Sequence, residues 1–388
     1  MKPYHLETNE PITLTEFDNS WPRRFRAERD QLRTAPDTVA GGIKHWGNIA
    51  VASMARMAGR PNVALLLGAT VWLTVGFLSS QCAQAEVPRG GADSVITCAG
   101  VEEGQAVLTH RDDFIAALSG FDRAARLKTD RPVAEGEFLE FLGRSVRSWS
   151  IAESNKLTRV SGKVLAQLAG WNVPLPPTML LVKTSGEEEG QAAYTRQHAI
   201  ILPQHLVRDP EPALEQTLLH ELFHVLSRHQ PELRTNLYRV IGFKPVAPID
   251  YPTELRERKI TNPDGFHTGW LISVTNQNQE LAAIPILYAS QDHYDPNKGG
   301  EFFDYLVFKL LVVTNQSERW LPSLVGGRPQ LLDPRPTPGY LNQVGRNTGY
   351  IIHPDEILAE NFVKLINGVT NVPSPAVIAG MRSVLRRK

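Results

Sequence analysis

The sequence predicts an α+β fold, on three observations. Apolar residues recur at helical spacing through residues 110–170 and again along a long stretch that ends at Pro231. Between these regions lie two compact β-type runs, Met179–Lys183 and Ala192–Leu202, with a polar turn joining them. Residues 231–349 then mix Pro, Gly and Asn with only short apolar runs, and a last helical pattern occupies residues 350–368. At 388 residues, with 41 basic and 41 acidic side chains, the chain can bury a sizeable core. The balanced charge argues against a dedicated nucleic-acid binder, so no nucleic-acid partner is expected.

The N-terminal stretch reads as targeting rather than fold. Asn62–Leu78 is an uncharged apolar run preceded by Arg56 and Arg60 and followed by Ala83-Gln84-Ala85. That order, within residues 54–85, predicts a signal peptide cleaved after Ala85, with a membrane anchor over residues 62–78 as the alternative. The mature protein is therefore expected to be secreted or periplasmic, touching a membrane only through this segment if it is not cleaved. Cleavage would also remove Cys82 and leave Cys98 without an internal disulfide partner. Upstream, PITLTEFDNSWPRRFRAERDQLR followed by GGIKHWGNIAV resembles the opening of GrpB-family proteins. Lys44-His45-Trp46-Gly47-Asn48 departs from that family's pattern and the rest of its domain is missing. Residues 1–53 therefore read as a fusion remnant or a misassigned start, not independently folded.

Residues 86–388 form the expected working domain. Residues 86–108 read as a loose leader with one short strand near Val95–Thr97. Helices are expected over 111–120, 136–149 and 152–169, from Phe114 and Leu118, then Phe138, Phe141, Leu142 and Val146, then Leu157, Val164, Leu165 and Leu168. The two β-type runs, joined by Ser185–Gly190, predict a hairpin. In residues 231–349 the apolar runs Leu281–Leu287 and Phe302–Val313 are embedded in turn chemistry. Thr261-Asn262-Pro263-Asp264-Gly265 either lines a cleft or makes turns, and turns are the favoured reading.

The chemistry centres on the long helix. Asp209 is expected as its N-cap and Pro210 as its first residue, and Leu214, Leu218, Leu219, Leu222, Phe223, Val225 and Leu226 make it deeply buried. Within it stands His220-Glu221-Leu222-Phe223-His224, an HExxH motif. Histidines four apart lie on one helix face, so both rings can aim at one zinc ion. Glu221 beside them is placed to move a proton to and from water, the role this motif serves in metallopeptidases. In such enzymes a strand shortly before the motif helix offers its free edge to an extended substrate. Ala193, Tyr194, Thr195 and Arg196 are the expected edge.

A catalytic zinc needs a third ligand. The metzincin position is filled by Gln230, His229 is out of register, and His267, His293 and Asp295 belong to no recognisable ligand motif. The best distant stretch is Tyr350 followed by Glu356-Ile357-Leu358-Ala359-Glu360-Asn361-Phe362, where Glu356 and Glu360 share a helix face. Here the chain resembles the gluzincin metallopeptidases, most closely their lethal-factor-like branch, in which a tyrosine precedes an E-x-x-A-E-x-F run. The resemblance implies a zincin-like core with a helical lead-in and a long loop-rich insertion. It implies one Zn2+ held by His220, His224 and Glu356, with Glu360 orienting a ligand histidine, Glu221 as general base and Tyr350 at the oxyanion. Were the two glutamates reversed, Glu360 would be the ligand. The expected activity is hydrolysis of peptide bonds in a peptide or protein substrate. The alternative is a zinc-binding cell-envelope interaction protein whose insertion restricts or abolishes catalysis.

Overall fold

A computed structural model describes residues 94–386. The expectations for the GrpB-like segment, the signal peptide or anchor and the cleavage after Ala85 lie outside the described residues. Among the described residues, no helix is long and apolar enough to cross a membrane. The described chain is mixed α+β, with helices packed around two main sheets.

The first sheet contains β1 (Val95–Cys98), β2 (Thr178–Thr184), β3 (Tyr194–Arg196) and β4 (Ala199–Pro203), in the spatial order β1-β2-β4-β3. β1, β2 and β4 are parallel, and β3 is antiparallel to β4. Strands buried on both faces read as continuous apolar runs rather than alternating ones. Accordingly Leu180, Val182 and Ile201 join the core on one side, while Met179, Leu181 and Ile200 are buried on the other. The expected hairpin between residues 179–183 and 192–202 is not formed. Gln197 takes a left-handed φ of 52° and breaks the second run into a tight β3–β4 hairpin. β4, running parallel to β2, becomes the neighbour of β2 and leaves β3 at the edge.

Five helices lead in: α1 (Val101–Thr109), α2 (Asp113–Ala117), α3 (Gly120–Arg126), α4 (Glu135–Ser145) and α5 (Ile151–Leu168). α1 lies where a loose leader was expected. Its Gly104 lowers helix propensity, yet a Cβ there would come within 2.9 Å of Val182 Cγ1, so the glycine serves close packing onto the sheet. The single helix expected over 111–120 is two, because Ser119 and Asp122 form a capping box that starts α3.

The motif helix α6 (Glu211–His229) is capped by Pro210, one residue later than the expected Asp209, with Pro212 in its first turn. It stops at Gln230 because a residue before proline is pushed out of the helical region, and Pro231 then opens α7 (Pro231–Val240) in a new direction. The region expected to be loop-rich carries the second sheet: β5 (Phe243–Pro245), a short α8 (Thr253–Arg256), then β6 (Trp270–Asn276), β7 (Gln279–Ala289), β8 (Leu306–Gln316) and β9 (Arg319–Pro322). A small hairpin, β10 (Leu324–Val325) and β11 (Arg328–Pro329), precedes β12 (Leu331–Leu332). The order is β12-β8-β7-β6-β5 with β9 also on β8, all antiparallel. Pro285 is tolerated inside β7 because pairing with β6 ends at Ala283, beyond which that edge needs no N–H. After α9 (Pro338–Val344) comes α10 (Pro354–Ile366), the helix expected over 350–368, and a closing α11 (Pro375–Leu385). Phe223 of α6 and Phe362 of α10 meet with ring centroids 5.5 Å apart, clamping the two helices face to face.

Candidate metal centre

α6 and α10 bring together residues that stand 136 positions apart in the chain. His220 Nε2 lies 3.2 Å from Glu356 Oε2, and His224 Nε2 lies 3.5 Å from the same oxygen. The two rings are 4.8 Å apart between centroids and inclined at 76°, as expected one helical turn apart. Atoms about 2.0–2.2 Å from one ion at tetrahedral angles stand about 3.3–3.6 Å from each other. The two contacts to Glu356 Oε2 therefore have the spacing of two edges of a zinc tetrahedron. The donor set, two imidazoles and one carboxylate, also fits a divalent zinc site.

The other ring nitrogens are committed elsewhere. His224 Nδ1 donates to Asp355 Oδ2 at 2.8 Å, and His220 Nδ1 lies 3.3 Å from Glu360 Oε1. A carboxylate on Nδ1 fixes the tautomer and leaves the Nε2 lone pair for a cation. Glu360 thus stands beside His220, while the contact of Asp355 with His224 was not expected from the sequence. Asp355 is itself saturated: its Oδ1 accepts from Ser227 Oγ at 2.5 Å and from Tyr238 OH at 2.6 Å. Glu356 Oε1 accepts from Asn262 Nδ2 at 2.6 Å, which turns Oε2 toward the histidines. The signal for Asp355 was its place in the first turn of α10, where the helix dipole favours acids and where His353 caps the helix by accepting from the Asp355 N–H.

Electrostatics follow from this geometry. Burial opposes charge on His220, but Glu356 and Glu360 outweigh it and push its ring up to about 10. Burial likewise opposes charge on His224, against Asp264, Glu356 and Asp355, which hold it well above the ordinary imidazole range. Burial raises Glu356, yet His224 and His220 prevail and hold its carboxyl well below the usual range. A concentration of carboxylates thus favours positive charge where the two Nε2 atoms and Glu356 Oε2 converge. Glu221 differs. Burial and then Asp264 push it up to about 8, against the two histidines, and its Oε2 is buried without a hydrogen-bond partner. Tyr350 is half-buried, and its hydroxyl is raised by burial and then by the charges of Glu356, Asp264, Glu221 and Glu360, which puts it within electrostatic reach of them all.

β3 borders this centre through one contact. The Thr195 N–H donates to Asp264 Oδ1 at 3.0 Å, and the Thr195 hydroxyl bonds the same oxygen. Asp264 in turn lies with Glu221 and His224 in a second group of closely spaced ligand-type atoms. The turn-rich segment favoured as mere turns therefore lines the cleft: Asn262 reaches Glu356 and Asp264 reaches β3. Ala193 precedes the strand, while Tyr194, Thr195 and Arg196 are buried, with Arg196 tied to Asp112 at 2.8 Å. His267, His293 and Asp295 belong to neither ligand group. Comparison with protein-family models, with curated proteins and with solved structures finds no match.

Proposed function

We propose that the chain is a zinc-dependent peptidase with a zincin-like centre, in which His220, His224 and Glu356 hold one Zn2+. The observation that carries this is the convergence of two imidazole Nε2 atoms on Glu356 Oε2, at 3.2 and 3.5 Å, with both Nδ1 atoms facing carboxylates. A zinc ion bound there would supply Lewis acidity, bringing the pKa of water to ~7. Glu221 would take the proton from attacking water and return it to the leaving amine. Glu221 is buried beside both histidines with one oxygen free of hydrogen-bond partners, so that oxygen is available to take up and return a proton. Tyr350, whose hydroxyl stays protonated, would donate to the oxygen of the tetrahedral carbon. An extended peptide substrate would align along β3, the edge of the first sheet.

A second reading, a zinc-binding interaction protein with restricted or absent catalysis, is favoured by Asp264, whose carboxylate lies close to Glu221 and already accepts from the Thr195 N–H of the edge strand. Substitution tests the first reading. The purified chain should contain one zinc per molecule, Glu356→Gln should lose it, and Glu221→Gln should keep it while losing at least ~10²-fold in peptide hydrolysis. Full zinc occupancy and activity in Glu356→Gln would remove Glu356 as ligand and end the gluzincin-type assignment.

A further inference from the structure

The loop that covers the candidate centre is built as a separate, two-ended device. At its start, Thr261 is fixed: its N–H donates to Asp122 Oδ1 at 2.9 Å, its hydroxyl donates to Asp122 Oδ2 at 2.6 Å, and its carbonyl accepts from Arg126 at 2.9 Å. At its end, the Gly269 carbonyl accepts from the Val246 N–H at 2.9 Å. Residues 262–268 span the gap. They touch the centre and its surroundings through Asn262 on Glu356, Asp264 on Thr195, and Arg228, which reaches the Pro263 carbonyl at 3.3 Å and Asp264 Oδ1 at 3.7 Å. Beneath them lies a recess lined by Tyr251, Lys259, Gly265, Phe266, His267 and His353. The loop thus rests on polar contacts at its rim and, through Phe266, on the core of the helical lead-in, where its ring centroid lies 6.2 Å from that of Phe114.

What Asp264 touches is telling. β3 pairs with β4 through Tyr194 and Arg196, so Thr195 turns its N–H to the open edge of the sheet. That N–H is the group an extended peptide would engage with a main-chain carbonyl. Asp264 Oδ1 already accepts from it. The same carboxylate lies close to both Glu221 and His224 and 3.7 Å from Arg228 Nη2, so seating the loop sets one acid beside another with two cationic groups to offset it.

We propose that residues 262–268 are an internal plug, in which the Asp264 carboxylate occupies the place of a substrate carbonyl on the Thr195 N–H and must be displaced before an extended peptide can bind. The proposal rests on the peptidase reading above. It unites that reading with its rival, since one molecule is restricted with the loop seated and competent with it released. The ligand class follows from the contact: a main chain in extended conformation, supplying a carbonyl where the plug supplies a carboxylate.

The full chain and Asp264→Ala are compared by three measurements: zinc content, hydrogen exchange of the peptic peptide carrying Thr195, and hydrolysis of fluorescein-labelled casein. The variant should keep one zinc per chain, exchange the Thr195 amide at least about tenfold faster, and cleave casein about tenfold faster or more. Arg228→Gln, which removes the arginine's contacts to the Pro263 carbonyl, the Thr195 hydroxyl and Asp264, should move exchange and cleavage in the same direction and serves if Asp264→Ala does not fold. Unchanged exchange at Thr195 in the folded variant overturns the plug. So does loss of zinc from Asp264→Ala when the parent chain holds it, because Asp264 would then be a ligand. Failure of the underlying reading looks different: the parent chain itself would hold no zinc.

Discussion

At the scale of single residues, the centre is organised by which atom of each carboxylate faces which nitrogen. Glu356 divides its two oxygens between Asn262 and the histidines, and Asp355 divides its own between His224 and the hydroxyls of Ser227 and Tyr238. Burial works to raise Asp355, but His224, Ser227 and Tyr238 outweigh it and keep its carboxyl below the usual range, so it stays an acceptor for the His224 Nδ1–H. Asp355→Asn preserves size while weakening that acceptor. Zinc affinity, measured by competition with a chelator, should fall about 10–100-fold, with the site still filled at saturating metal. An affinity within about twofold of the parent would show that Asp355 does not orient the ligand.

At the scale of elements, the ends of helices carry much of the local specification. α5 starts with a capping box in which Ser150 Oγ accepts from the Glu153 N–H and Glu153 accepts from the Ser150 N–H. Glu153 also accepts from Lys183 of β2 at 2.7 Å, tying the helix start to the first sheet. Burial acts to raise the Glu153 carboxyl, but Lys183 and Ser150 outweigh it and hold it below the ordinary value of 4.5. A folded-state pKa below the unfolded one gives stability that is present above that value and lost as pH falls through the folded pKa. The gap in Tm between the parent and Glu153→Gln should therefore be widest near neutral pH and close as the pH is lowered below about 4.5. A gap that stays constant from pH 7 to pH 3 would mean the charge of Glu153 adds nothing to the helix start.

Across the whole molecule, one buried cation joins three distant segments. Arg126 of α3 pairs with Asp122 at 2.8 Å, with Glu189 at 2.7 Å, and with the carbonyl of Thr261, while its guanidinium lies 4.2 Å from the Phe302 ring centroid. It thus fastens the helical lead-in, the turn before β3 and the start of the loop beside the candidate metal centre. Replacing a buried charge while leaving its partners is costly. Arg126→Met should lower stability by about 3–5 kcal/mol, on the order of 10 °C in Tm, because Asp122 and Glu189 would remain buried without their counter-charge. A loss below about 1 kcal/mol in denaturant unfolding would show that the two acids can be satisfied without Arg126.

The sequence by itself determined the parts whose information is local. His220 and His224 share a helix face because four residues make about one turn, and Glu356 and Glu360 share another for the same reason. The length and burial of α6 follow from its run of leucines and its bounding prolines, and the α+β class from helical and β-type runs in alternation. Other features were hidden because their causes lie elsewhere in the chain. α1 forms on a glycine-bearing stretch because Val182 and Val146 leave room only for Gly104. The second sheet arises in a Pro-, Gly- and Asn-rich region because antiparallel neighbours satisfy strands too irregular to stand alone. Only the tertiary structure decided that Glu356 meets both histidines, that Asp355 backs His224, and that Asp264 lies over Glu221 against Thr195. Each of those is a contact between side chains many turns of sequence apart, and such a contact is fixed by the packing of α6, α10 and β3 rather than by any period a single segment can carry.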